Sequence, residues 1–142
     1  MLPSPLLAAL LTVSSVVLLS GTAVRAQDET IDCTSQSLNM MQLDQCAGRE
    51  FKAAEARLDA LYLSMRAKYD APNRALLEAA QKSWRAWRDA ECEYETNGTA
   101  GGTINSMMQT KCRTAKTSAR LKELDAQLHC EEGDLLCNAP RQ

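Results

Sequence analysis

Apolar residues recur at steps of three and four through the first long segment after residue 39. This period places them on one stripe of an amphipathic helix. The stripe is Leu43, Ala47, Phe51, Ala54, Leu58, Leu61, Tyr62 and Met65. Asn39 suits an N-cap, because its side chain can accept a hydrogen bond from the first turn. The pattern therefore predicts a helix from Asn39 to about Tyr69, in which Gly48 costs about 1 kcal/mol or marks a close contact.

A second helix is predicted after a break at residues 70–73. Pro72 falls in its first turn, where the missing N–H does no harm. The helix runs to about Thr96, and residues 97–102 follow as a glycine-rich loop. The apolar positions assigned to its buried stripe are Leu76, Leu77, Ala80, Trp84, Trp87 and Cys92.

A third helical stretch begins near Thr103, and Thr117 is a candidate restart after the polar segment 111–116. Its apolar positions are Ile104, Met107, Met108, Cys112, Leu121, Leu124 and Leu128. Strand signals are weak, because β-branched residues are scarce and do not alternate. Short links make neighbouring helices antiparallel. We therefore expect an all-α fold, a small antiparallel three-helix bundle, with an irregular tail at 131–142.

The first 26 residues resemble a signal peptide. Residues 6–19 form an uncharged apolar run, shorter than the roughly 20 residues that span a bilayer. Small residues follow it and suit cleavage after Ala26. No Lys or Arg precedes the run, which departs from the usual pattern. We expect a mature domain over 27–142, periplasmic or secreted, with no membrane attachment after cleavage.

The chain has six cysteines, and all of them follow the predicted cleavage site. In an exported chain an even number indicates disulfides, and six cysteines allow 15 connectivities. Sequence proximity favours the pairs Cys33–Cys46, Cys92–Cys112 and Cys130–Cys137. The first pair constrains the helix, because a helix starting at Ser35 would hold its two cysteines about 18 Å apart. A start at Asn39 leaves residues 34–38 free to fold back.

The composition gives little evidence for metal binding, nucleic-acid binding or catalysis. There is no CxxC pair and a single histidine, His129, so we expect no metal and no cofactor. The 142 residues include 16 Lys and Arg against 18 Asp and Glu, a net charge of −2, which leaves no basic footprint for nucleic acid. Glu91 lacks a second positioned group for acid–base chemistry. We therefore expect one domain and no enzyme.

One face of the second helix carries a polar and aromatic set. Gln81, Trp84, Arg88 and Glu91 follow one another at steps of three and four, so they share a face. The spacing favours a cation–π contact between Trp84 and Arg88 and an ion pair between Arg88 and Glu91. Arg120 of the third helix is a further candidate partner. We interpret this set as the packed seam of the bundle.

These residues resemble the LprI-type lysozyme-inhibitor family over residues 33–124. The strongest block is 80–92, in which Gln81, Trp84, Arg88, Glu91 and Cys92 stand in register. The residues assigned to the family pattern are Leu58, Tyr62, Gln81, Trp84, Arg88, Glu91, Gly101, Gly102, Thr117, Arg120 and Leu124. Two features depart from the family: Asp59 stands where an Asn is common, and the cysteines of the tail are additions.

The resemblance implies an exported bacterial helical domain with paired cysteines that inhibits lysozyme by protein–protein binding. A c-type lysozyme is the candidate partner; an envelope structural module with a different periplasmic partner is the alternative. Asp89, Glu91, Glu93 and Glu95 form an acidic run that would steer a basic lysozyme or is simply a solvated charge run. The loop beside it, residues 97–106, would enter a cleft or merely connect helices. The candidate partner-binding residues are Glu93, Glu95, Asn97 and Gly98.

Overall fold

A computed structural model describes residues 31–131 and 133–139. The predicted signal peptide and its cleavage site lie outside these residues. The described part contains three α-helices and no strand, which confirms the all-α bundle. None of these helices has both the length and the apolar character to cross a membrane. The helices are α1 (Met40–Lys68), α2 (Ala71–Glu95) and α3 (Asn105–Leu128).

The start of α1 is fixed by a reciprocal cap. The Asn39 side chain accepts a hydrogen bond from the Gln42 N–H at 3.0 Å, and the Gln42 side chain accepts one from the Asn39 N–H at 2.9 Å. This capping box satisfies two backbone donors that the helix itself leaves unpaired. The preceding residues fold back, so that Cys33 and Cys46 are disulfide-bonded with Cα atoms 5.7 Å apart. The predicted helix start is therefore confirmed.

The chain reverses within two residues between α1 and α2. Tyr69 ends the first helix, and the Asp70 side chain accepts a hydrogen bond from the Asn73 N–H at 2.9 Å to begin the second. Pro72 lies in the first turn of α2, as predicted. Because this link is so short, α1 and α2 run antiparallel.

α3 is one continuous helix, and the restart considered at Thr117 was wrong. The helix begins at Asn105 and passes through Thr117 without a break. The Thr117 side chain is fully buried, and its hydroxyl contacts side chains of α1 and α2 instead of capping a new helix. The polar segment before it is also helical, and two of its cations, Arg113 and Lys116, pair with carboxylates of α2.

The closest helix packing is between α1 and α3, which are not adjacent in sequence. Ala47 and Ala54 are buried on α1, and small side chains let two helices approach closely. Two antiparallel reversals make α1 and α3 parallel. The buried apolar core lies towards the α1–α2 turn and is made of Leu58, Met65, Tyr69, Leu77 and Leu124.

The predicted buried stripe of α2 was partly wrong. Leu76, Ala80 and Trp87 are exposed, whereas Gln81 and Arg88 are buried in their place. The two polar residues can be buried because neighbouring helices supply groups that bond to them. The buried face of α2 is therefore turned towards Gln81 and Arg88 and away from the most apolar side of the helix.

The tail is held against the end of the bundle. Cys130 and Cys137 form the third disulfide, with Cα atoms 5.7 Å apart. The Tyr69 hydroxyl donates a hydrogen bond to the carbonyl of Asn138, and burial raises the pKa of Tyr69 above its ordinary value. The Asn138 N–H donates to the Gln127 side chain at 3.1 Å. These contacts give the irregular tail a defined position.

Candidate functional site

One side chain from each helix meets in a buried polar centre. Arg88 of α2, only 4% exposed, donates to the Glu55 carboxylate of α1 at 2.6 Å and to the Thr117 hydroxyl of α3 at 3.0 Å. The Thr117 hydroxyl in turn donates to the same Glu55 oxygen at 3.3 Å. We call these three residues the polar centre. A buried cation is tolerated here because a carboxylate and a hydroxyl satisfy it.

Aromatic rings flank the Arg88 guanidinium. The rings of Trp84 and Phe51 each lie 5.2 Å from it, measured to the ring centroid. Both distances suit cation–π attraction. The contact predicted between Trp84 and Arg88 is therefore present, and Phe51 of α1 adds a second ring that the spacing along α2 did not reveal.

The ion pair predicted between Arg88 and Glu91 was wrong. Arg88 pairs with Glu55 and, at 2.9 Å, with its neighbour Asp89. Glu55 lies on another helix and offers a carboxylate that is itself mostly buried, where charges attract more strongly than at the surface. The sequence did carry one signal for it: a buried arginine needs a counter-charge, and Glu55 lies between the buried positions Ala54 and Leu58.

A second set of polar contacts surrounds the polar centre. Arg120 donates to the Gln81 side chain at 3.3 Å and lies 5.8 Å from the Trp84 ring, so the predicted involvement of α3 is found. Arg85 bonds to Glu55 at 2.7 Å and also to Asp59. The residue that departs from the family pattern, Asp59, thus forms a half-exposed ion pair at the edge of this network.

The polar centre fixes the relative position of the three helices. Its cation is enclosed by protein groups and its charges are neutralised, which is the arrangement of a structural network rather than of a surface that meets a partner. Leu58 and Leu124 of the family pattern lie in the adjacent apolar core, and Tyr62 packs against it. A groove of about 450 Å³ opens beyond this core, towards the tail, between Leu77, Arg120 and Asn138.

The opposite end of the bundle carries the loop between α2 and α3. The Cys92–Cys112 disulfide joins the two helices below the loop, with Cα atoms 5.6 Å apart. Thr99 donates to the Thr96 carbonyl at 2.8 Å, and the Asn105 side chain donates to the Thr99 hydroxyl at 2.9 Å. We call residues 93–104 the loop end. Backbone hydrogen bonds link Ala100 to Asn97 and Gly102 to Thr99, so the loop has a defined shape.

Two glycines of the family pattern have backbone reasons to be glycine. Gly101 has a φ of 75°, a conformation that residues with a Cβ rarely adopt. A Cβ at Gly102 would lie 3.1 Å from the Thr99 carbonyl oxygen. Both positions therefore maintain the tight path of the loop.

The acidic run near the loop end is partly neutralised. Glu95 pairs with Lys116 at 3.0 Å, and Asp89 lies 3.5 Å from Arg113. Glu93 and Tyr94 are exposed, Tyr94 by 78%. Asn97 and Gly98 are exposed in the short 3₁₀ turn that opens the loop. The candidate partner-binding residues are thus all exposed near the loop end, but Glu93 and Glu95 lie two residues apart on α2 and do not share a face.

Glu95 also lies close to both sulfurs of Cys92 and Cys112. Three such groups would resemble a metal-ligand set if the cysteines were thiolates. The two sulfurs are bonded to each other, so neither is a thiolate ligand. This grouping is therefore a disulfide beside a carboxylate.

These features define a class: a small helical domain with a buried arginine at its centre and disulfides at its ends. A family model described as lysozyme inhibitor LprI matches residues 32–124, and the chain belongs to that family. An uncharacterised protein of Rhizobium meliloti (strain 1021) is 32% identical over 126 residues, which cover 78% of this chain and 90% of the relative. No solved structure matches the chain.

Proposed function

We propose that this protein is an exported inhibitor of c-type lysozyme that acts by binding alone. The observation that carries the proposal is the match to the lysozyme inhibitor family over residues 32–124. Its three disulfides suit an oxidising compartment outside the cytoplasm. Cleavage of a signal peptide after Ala26 would deliver it there.

The loop end is the surface that we propose meets lysozyme. A disulfide and side-chain hydrogen bonds order this loop before binding, which lowers the entropy that association costs. Tyr94 offers an exposed aromatic ring, a residue type enriched among binding hot spots. Glu93 offers a carboxylate to a basic partner, which favours encounter.

A lysis assay tests the function. Turbidity of a bacterial cell-wall suspension is followed after addition of c-type lysozyme with increasing amounts of the oxidised protein. We expect clearing to slow as the molar ratio rises. Unchanged clearing at a large molar excess would exclude c-type lysozyme as the target.

Variants locate the surface. Tyr94→Ala and Glu93→Lys should each weaken inhibition roughly tenfold or more, because truncation of a hot-spot contact costs at least about 1.4 kcal/mol. Glu131→Lys makes the same charge change at the other end of the bundle and should leave inhibition unchanged. If all three variants inhibited like the unaltered protein, the loop end would not be the binding surface.

The neutralisation of Asp89 and Glu95 by cations of α3 supports a second candidate function. This neutralisation weakens the electrostatic attraction expected between the acidic run and a basic lysozyme, and is compatible with a different envelope partner. The alternative is a structural or interaction module of the envelope. Enrichment of one endogenous protein on the immobilised chain, with lysozyme activity unaffected, would favour it.

A further inference from the structure

Small and apolar side chains line the outward side of α2, and its exposed charges are Lys82, Asp89 and Glu93. Four alanines and a serine lie along it, with three large side chains beside them. Leu76 is 66% exposed and Trp87 is 51% exposed. We call this surface the α2 outer face. Its exposed members are Ala75, Leu76, Ala79, Ser83, Ala86, Trp87, Ala90 and Tyr94.

The order of large and small residues on this face would allow two copies of α2 to pack against each other in antiparallel orientation. In a symmetric antiparallel pair of helices, two residues meet when their midpoint lies on the two-fold axis. The midpoints of Leu76 with Tyr94 and of Ser83 with Trp87 both fall at residue 85. The Trp87 ring lies 5.0 Å from Lys116 Nζ of α3, and about this axis its exposed half would meet a small Ser83, while the alanines would let the two helices approach closely.

The charges of the face fit the same axis. Lys82 is exposed and forms no ion pair among the described residues. Asp89 is half-exposed, and although its Oδ1 pairs with Arg88 and lies 3.5 Å from Arg113, no ion pair or hydrogen bond within the part of the chain that the structure describes involves its second carboxylate oxygen. The midpoint of Lys82 and Asp89 lies between residues 85 and 86. An antiparallel arrangement would therefore place Lys82 of each copy beside Asp89 of the other, where opposite charges favour association.

We propose that two copies of this chain associate through the α2 outer face, antiparallel, with a two-fold axis near Ala86. This interface is isologous, the usual form for a dimer. A single helix pair buries less than a standard protein interface, so the dimer forms at high protein concentration. The proposal does not require lysozyme binding, but Tyr94 belongs to both the α2 outer face and the loop end, so dimerisation and lysozyme binding would compete for this side chain.

Mass and contact are measured together. Sedimentation equilibrium of the oxidised protein over a concentration series should show a rise from the monomer mass to twice that mass. A zero-length carbodiimide cross-linker should then join Lys82 to Asp89. Seven residues separate them on one helix, or about 10 Å, which the two side chains span only when both are fully extended, so most of the cross-link should join two copies. Mixing ¹⁵N-labelled and unlabelled protein verifies this in the cross-linked peptide.

Matched variants test the face. Ala86→Arg places two guanidinium groups at the axis and should weaken dimerisation at least tenfold, and Lys82→Glu should also weaken it. Ala53→Arg and Lys122→Glu make the same changes at exposed positions of α1 and α3 and should dimerise like the unaltered protein. Circular dichroism verifies that each variant remains folded. A monomer at every concentration, dimerisation unaffected by Ala86→Arg, or a monomer that binds only another envelope protein would overturn the proposal.

Discussion

Arg88 is the residue on which the centre of the molecule depends. A guanidinium presents several donors in a fixed planar fork, so one side chain can reach Glu55, Asp89 and Thr117 at once. Its flat faces also accept the rings of Phe51 and Trp84. Lysine has a single compact charge and cannot reproduce this set of contacts.

Removing Arg88 should therefore be costly. Arg88→Ala leaves the Glu55 carboxylate in a partly buried site with one of its two cations lost, and we expect the free energy of unfolding to fall by about 3–5 kcal/mol. Arg88→Lys should recover only part of the loss. Denaturant unfolding measures both variants, and Arg57→Ala, an exposed arginine of α1, is the control. A loss below about 1 kcal/mol would mean that the polar centre contributes little to stability.

Two glycines should respond to alanine in opposite directions. A Cβ at Gly48 meets nothing within 4 Å, so the close contact considered from the sequence is absent. Gly48→Ala should then raise the free energy of unfolding by about 1 kcal/mol, through helix propensity. Gly101→Ala should lower it by about 1 kcal/mol, because φ is 75° there. Equal effects of the two changes in thermal unfolding would contradict this account.

Contacts within one helix were predictable, and contacts between helices were not. Trp84 and Arg88 were paired correctly because their spacing alone brings them together. Glu55 was missed because its approach to Arg88 depends on how α1 and α2 are aligned, which no spacing along either helix specifies. The choice of Glu91 as partner was the nearest solution within one helix, and the structure replaces it with one across the interface.

At the scale of the element, α1 and α2 differ in how clearly the sequence marks a buried face. The apolar stripe of α1 has polar residues on both sides, so its buried positions Ala54, Leu58 and Met65 followed from the period. The α2 helix is apolar on its outer face as well, since Leu76 and Trp87 lie there. Hydropathy alone then predicts that the outer face is buried, because it does not take into account that an arginine can be buried when a carboxylate neutralises it.

The turn that joins α1 to α2 should make stability depend on alkaline pH. Burial raises the pKa of Tyr69, so its neutral phenol is favoured in the folded state. The unfolded chain ionises first, near the ordinary pKa of about 10. Stability from this group is therefore complete below that pH and is lost as the pH rises above it.

Alkaline unfolding measures this dependence. The unaltered protein should lose thermal stability more steeply above about pH 10 than Tyr69→Phe, which has no phenol to ionise. At neutral pH the variant should be slightly less stable, because the hydrogen bond to the Asn138 carbonyl is missing. Tyr94→Phe changes an exposed tyrosine and serves as the control. Parallel pH profiles for the protein and Tyr69→Phe would contradict the assignment.

At the scale of the whole molecule, the sequence predicted how the helices are connected better than it predicted which helices pack closely. Short links predicted the antiparallel order, and sequence proximity favoured the disulfide pairs that the structure contains. The close parallel packing of α1 against α3 was not predicted, because those helices are separated in sequence. The large side chains of Trp84 and Arg88 lie between α2 and the other two helices and keep α2 further from them. The small side chains of α1 then allow α3 to pack closely against it.

The disulfides should differ in what they stabilise. In a chain-entropy account, closing the loop of sequence separation 20 between Cys92 and Cys112 contributes about 3 kcal/mol, and the separation of 7 in the tail about 2 kcal/mol. Cys92 is also fully buried in the bundle, whereas the tail loop can open locally. Replacing Cys92 and Cys112 by alanine should therefore lower the melting temperature more than replacing Cys130 and Cys137. Of these two disulfides only Cys92–Cys112 lies beside the loop end, so only its double variant should also weaken lysozyme inhibition. Equal losses of stability and inhibition in the two double variants would show that the loop end is not ordered by its own disulfide.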